Sequence, residues 1–285
     1  MNIALVTVVV LFGVHSTTEE LQRSLDQIRH QDTGSVQVLV ACIGGPETAL
    51  LAGGLVDGEH IIAGSSFPVV FRRAFDRTRG KYLTLMVAGD YYLGDQVLRG
   101  QVALAEHYKM VSDVDVVVFP DQLVGAGTGS PVGRQRDILP LREGSGAFKL
   151  ASMEVVVPFG ALMASSCAAS MNVWAGGATS EWSAVQGADA GDLHLEIWAM
   201  LSFVAGRVPL VFGAGALVTC LPFCRFDGDP IEQAKAALVR YWGPDRLDEL
   251  LRAEEFGSSL LRFRDYCISR RGEFGSGIEP RGALG

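Results

Sequence analysis

The sequence predicts an α/β fold, a mostly parallel sheet flanked by helices with a helical C-terminal extension, and three observations predict it. Residues 3–11 are rich in β-branched side chains and continuous rather than alternating, the pattern of a strand buried on both faces. Strand-like and helix-like stretches then alternate over roughly the first 120 residues, as they do where helices cover a parallel sheet. The third is the stretch from Arg79 to Leu98, in which an apolar strand at residues 83–87 stops at Ala88-Gly89-Asp90 and the chain restarts as a helix at Asp95. An α/β sheet delivers polar groups to the carboxyl edge of its strands in this way, and ligands bind at that edge, so Asp90 is the first candidate functional residue. Gly89 and Asp90 also suit a turn for backbone reasons alone.

At 285 residues and 30.5 kDa the chain can bury a substantial core as one large domain with an appendage. Its five cysteines, Cys42, Cys167, Cys220, Cys224 and Cys267, are odd in number and form no C-x-x-C unit. They fit buried thiols in a reducing compartment better than a disulfide framework. A formal charge of −8, made of scattered acids and bases, offers no basic stripe to nucleic acid. The apolar run at residues 3–14 lacks a basic leader and a small-residue cleavage site and is too short to span a bilayer. Residues 208–223 are apolar but broken by Pro209, Pro222 and glycines, and read as one or two core strands. No membrane span is expected, and the expected location is cytoplasmic.

In order, residues 3–11 form the first strand. Ser16 and Glu19 form a capping box that opens a helix running to His30, with Leu21, Leu25 and Ile28 on one face. A second strand, residues 36–41, ends at the Cys42-Ile43-Gly44-Gly45-Pro46 break. Ile61 and Ile62 mark a third, edge-like strand. Residues 68–79 form a helix with Val70, Ala74 and Thr78 on one face. The strand at 83–87 follows, then a helix after Asp95 that turns Val97, Leu98, Val102, Leu104 and Ala105 inward. A fifth strand, residues 114–119, ends at Pro120. The Asp113-Val114-Asp115 pair precedes that strand, at the edge opposite the ligand side, and reads as a solvated strand start. Residues 125–146 form a long Gly- and Pro-rich loop carrying Arg134 and Arg136, either a bidentate clamp for a diphosphate or solvated loop charges. Residues 153–174 are apolar again. Asp192 follows Gly191 as the N-cap of a helix to Val204, and amphipathic helices occupy residues 231–242 and 244–256. The expected organisation is a domain over residues 1–225, a helical extension over 226–270 and an unstructured tail over 271–285. The apolar surplus at 153–174 and in the C-terminal helices predicts a homodimer.

The order of these parts resembles the family 2 glycosyltransferases, whose GT-A fold is a single nucleotide-sugar-binding α/β domain. The residues that carry the likeness are Val6 to Leu11, the helix Leu21 to Gln31, Val36 to Ala41, Gly80-Lys81-Tyr82-Leu83, Tyr91-Tyr92-Leu93-Gly94-Asp95, Gly176-Gly177 and Gly191-Asp192. The resemblance implies transfer of a sugar from a nucleoside-diphosphate donor to a hydroxyl acceptor with inversion. It implies that Gly89 and Asp90 lie at the donor diphosphate, with Asp90 as ligand of an Mg2+ or Mn2+ ion. Asp192, or Asp189 in a shifted alignment, would take the acceptor's proton. The chain departs from the family where the donor is read. Ala41-Cys42 stands in place of the Asp pair that contacts the base, and Val87-Ala88-Gly89 in place of the D-x-D. A second reading is therefore a catalytically inactive GT-A-like binding or scaffolding protein that partners an active homologue.

Overall fold

The computed structural model describes residues 5–13, 16–44, 46–65, 67–125, 131–134, 147–149, 160–166, 209–213 and 215–219. The first expectation to meet it is the central one, and it holds. Strand β1 (Val6–Phe12) lies between β2 (Val36–Ile43) and β4 (Tyr82–Val87), parallel to both, with Val8 beside Val38 on one side and Thr84 on the other. Every residue of β1 is buried, as its unbroken apolar run requires. Strand β3 (Ile61–Gly64) pairs parallel with β2 and forms the edge of the sheet.

Helix α1 (Thr18–Arg29) buries Leu21, Ser24, Leu25 and Ile28. Its capping box differs from the expected one by one residue, with Thr17 as N-cap and Glu20 as the returning carboxylate. The Ser-Thr-Thr-Glu-Glu run contains two overlapping boxes. The one in use leaves Glu19 in solvent and lays the Glu20 side chain against Gly89. Strand β2 runs two residues further than expected. A helix that the sequence reading did not include, α2 (Pro46–Ala52), follows the break, with Pro46 at the first position, where a missing N–H costs nothing. Helix α3 (Phe67–Arg77) buries Phe67, Val70, Phe71 and Ala74. Its Arg73 and Arg77 donate to the Ala63 and Ile61 carbonyls of β3, blunting an edge that would otherwise offer acceptors to another strand.

After β4 the chain does not go directly into a helix. Strand β5 (Tyr91–Leu93) intervenes before α4 (Val97–Ser112), followed by β6 (Val117–Phe119), shorter than expected, and β7 (Gln122–Gly125). Part of the expected loop at 125–146 is strand: β8 (Pro131–Arg134) pairs antiparallel with β7, so Arg134 lies on a strand and not in a loop. Strands β9 (Ala147–Lys149), β10 (Leu162–Ala164), β11 (Pro209–Phe212) and β12 (Ala216–Thr219) complete the described elements. The large sheet has the order β3-β2-β1-β4-β10-β6-β11-β9, in which β10 and β9 oppose the rest. A smaller sheet has the order β5-β12-β7-β8. The expected strands of 208–223 are β11 and β12, one in each sheet.

Gly80 shows why the Gly-Lys-Tyr lead into β4 begins with glycine. A Cβ there would lie 2.5 Å from the Thr7 backbone nitrogen, a distance no side chain can occupy. The Asp113-Val114-Asp115 pair meets its expectation. Asp113 terminates α4 with φ 51° and pairs with Lys109, and Asp115 accepts from Ser166 ahead of β6. Among the described residues, no helix is long and apolar enough to cross a membrane. The C-terminal helices, the tail and most of residues 153–174 lie outside the described residues.

Candidate functional site

Three strands of the large sheet leave its carboxyl edge and become strands of the small one. The crossings are Ala88-Gly89-Asp90 between β4 and β5, Pro120-Asp121 between β6 and β7, and the segment bounded by Gly213 and Gly215 between β11 and β12. Polar groups in such a crossing are delivered to the edge where α/β sheets take their ligands.

The Asp90 crossing is built as a tight turn. Ala88 N–H still pairs with Leu11 O at 2.9 Å, and Asp90 N–H closes on Val87 O at 3.0 Å. Gly89 has φ +101° in the third position, a conformation that costs a residue with a Cβ and costs glycine nothing. Asp90 itself is 2% exposed. Because Tyr91 pairs with Val218, and Thr219 pairs with Gly125, the register places Asp90 level with buried Thr219 and with Gly125.

Beneath the crossing, the Tyr92 hydroxyl donates to Gly160 O at 2.8 Å and lies 3.2 Å from Thr84 Oγ1. Burial pushes this phenol above its ordinary pKa, so it stays protonated and available as a donor. Gln101, fully buried on α4, donates Nε2 to the same Gly160 carbonyl at 2.8 Å and to Val118 O at 3.2 Å. At the start of α4, where Gln96 supplies no side-chain cap, Gln31 of the α1 end accepts from Leu98 N–H at 3.1 Å and donates to Gly94 O. The two sheets and the helices on them are thus fixed to one another by a few buried bonds around Asp90.

The other expected site residues fare differently. Gly89 adjoins Asp90, as expected. Arg134 pairs with Gln122, which is level with Ala216 and Leu93, the end of the small sheet away from Asp90. Its backbone is three strands from β5, about 14 Å at the usual strand spacing. Arg136, Asp189 and Asp192 lie outside the described residues. At the end of β2, Ala41 and Cys42 are buried within the strand between β1 and β3, and burial pushes the Cys42 thiol up to about 11. A neutral thiol there offers no carboxylate to a base.

Among the described residues no three His, Cys, Asp or Glu side chains gather as a metal site. Asp90, the candidate ligand that the described residues include, is buried. The residues that sequence reasoning missed are Ser24, Tyr92, Gln31 and Gln101. Ser24 and Gln101 had a signal: each is a polar residue inside an otherwise apolar helical stripe. A cavity of about 560 Å3 lies elsewhere, between α1, the start of β2 and the turn after α2, lined by Leu25, Val36, Val38, Leu55 and His60 among others. It is toward the amino edge, opposite Asp90.

The architecture is similar to that of S. aureus TarS, with TM-score 0.52 at 12% identity over 97% of this chain and 46% of the TarS chain. It is similar to the same degree to TarS 1–349 solved in complex with UDP-GlcNAc, over 97% of this chain and 76% of that one. The fold is GT-A-like. This chain spans less than half the length of the longer TarS structure. No family model and no curated protein matches the sequence. At this identity the GT-A-like likeness is one of architecture, and the chemistry has to be argued from the residues.

Proposed function

We propose that this chain is a family 2-like glycosyltransferase that moves a sugar from a nucleoside diphosphate to a hydroxyl acceptor with inversion. The observation that carries the reading is the place of Asp90, a buried carboxylate held where β4 crosses into β5 at the carboxyl edge of a GT-A-like sheet. TarS, with the similar architecture, has been solved with UDP-GlcNAc bound. A carboxylate accepts hydrogen bonds and donates none, so Asp90 receives donor hydroxyls or holds Mg2+ or Mn2+ weakly together with the diphosphate oxygens. Positive charge against the diphosphate then comes from the guanidinium group of Arg136, since the Arg134 backbone lies at the end of the small sheet away from Asp90. Asp192, with Asp189 as its alternative, takes the acceptor's proton. The acceptor oxygen bonds to the anomeric carbon as the bond to the diphosphate breaks on the opposite face.

One observation favours the second reading, an inactive binding or scaffolding protein: Val87, Gly89, Ala41 and Cys42 stand where the family carries carboxylates. A thermal-shift panel of UDP-, GDP- and dTDP-sugars, with and without Mn2+, separates the two, because a ligand of the native state alone must raise the melting temperature. The transferase reading expects one donor class to shift the transition without Mn2+. It also expects Asp192→Asn to lower turnover by about 10²- to 10⁴-fold at nearly unchanged stability. The inactive reading expects no shift and no turnover.

A further inference from the structure

One hydroxyl of α1 holds both sides of the turn that presents Asp90. Ser24 Oγ accepts from Gly89 N–H at 2.9 Å and donates to Asp90 C=O at 2.7 Å, and Ser24 is fully buried. Asp90 N–H is bonded in turn to Val87 O at 3.0 Å. With its own N–H and C=O both committed, Asp90 has neither φ nor ψ free to rotate, so its side chain leaves the backbone in one direction. The residue after it is already fixed, since Tyr91 pairs with Val218.

Helix α1 has no need of a hydroxyl at this position. Leu21, Leu25 and Ile28 fill the same buried stripe with carbon, and alanine is the better helix former. The serine makes no bond to its own helix in place of these two, as serines in helix interiors often do. One turn earlier on the same face, the Glu20 side-chain carbons lie 3.5–3.6 Å from where a Cβ of Gly89 would stand. Residues i and i+4 of α1 therefore both border the turn, Glu20 beside it and Ser24 hydrogen-bonded to it.

We infer that Ser24 is the positioning residue of the donor site, setting the direction of Asp90 from the helical layer; this rests on the proposed donor site at the β4 to β5 crossing. The test is a double-mutant cycle on the full chain, read by calorimetric titration with UDP-GlcNAc, GDP-mannose and dTDP-glucose. Ser24→Ala and Asp90→Asn are each expected to weaken binding of the recognised probe about tenfold. The combined variant should be no weaker than the weaker of the two, because both changes remove one function. Ser24→Cys keeps the size with a poorer hydrogen bond and should fall between wild type and Ser24→Ala. It carries the comparison where Ser24→Ala does not fold. A serine that is merely structural lowers the melting temperature and leaves the dissociation constant unchanged well below the transition. That result, or losses that multiply in the double variant, overturns the inference and leaves the donor site standing. A wild-type protein that binds none of the three probes overturns both.

Discussion

The two ends of the large sheet differ in their polarity: exposed ion pairs accompany a buried Thr7, bonded to Gln37 and Gly80, at the amino edge, and buried bonded groups predominate beneath the Asp90 turn. At the amino edge, charges meet in water: Lys81 pairs with Glu106 at side-chain exposures of 54% and 42%, and Lys109 pairs with Asp113 and Asp115. Toward the carboxyl edge polar groups are buried and bonded, Ser24 to the turn that carries Asp90, and Thr84, Tyr92 and Gln101 in the sheet interior beneath it. A solvated ion pair exchanges water for a partner at little net gain, whereas a buried polar group that loses its partner costs its full desolvation. The carboxyl edge is built to hold something in place, and what it holds is the crossing between sheets.

The contrast can be broken by mutation, and the largest effect is expected at Gln101. Gln101→Ala removes the donor to both Gly160 and Val118 and leaves a hole, for a loss of about 2–4 kcal/mol in urea unfolding. Tyr92→Phe keeps the ring and deletes only the hydroxyl bonded to Gly160, and should cost about 1–2 kcal/mol by the same measurement. Lys81→Met at the amino edge should change stability by less than about 0.5 kcal/mol. Its effect is confined by pH. The bond from Lys81 holds the Glu106 carboxyl below its usual range, so the pair's contribution is present above the ordinary glutamate pKa and fades as pH falls through the lowered value. Wild type and Lys81→Met should therefore converge in acid. If Lys81→Met proved as costly as Tyr92→Phe, the distinction between the two edges would be lost.

The strands of the large sheet were legible because their burial is written in composition: β1 is apolar at nearly every position, and its neighbours β2 and β4 are mostly so. The small sheet was not. Its strands are three or four residues long, too short for an alternating pattern, and they pair across long sequence separations, as Tyr91 does with Val218. Helix α2 was hidden by reading Pro46 as a terminator when proline at a first helical position is an opener. At the candidate site the sequence pointed to Asp90 and Gly89 by their place after an apolar strand, and the structure puts both in the turn between β4 and β5. It did not locate Ser24, since a serine 66 residues away meets Asp90 only through the packing of α1 on the sheet. Arg134 was misplaced for the same reason as the small sheet, its strand being defined by its pairing with β7.

The central claim is that the Asp90 crossing is where a nucleotide sugar binds. The most direct measurement is the melting temperature of wild type and Asp90→Asn against UDP-GlcNAc, GDP-mannose and dTDP-glucose. At a ligand concentration of 100 times Kd the native state gains about 2.7 kcal/mol, enough to move the transition by several degrees. The predicted result is a rise for wild type with one donor class, sharply reduced in Asp90→Asn. A wild-type transition indifferent to all three, or a rise that survives unchanged in Asp90→Asn, would contradict it.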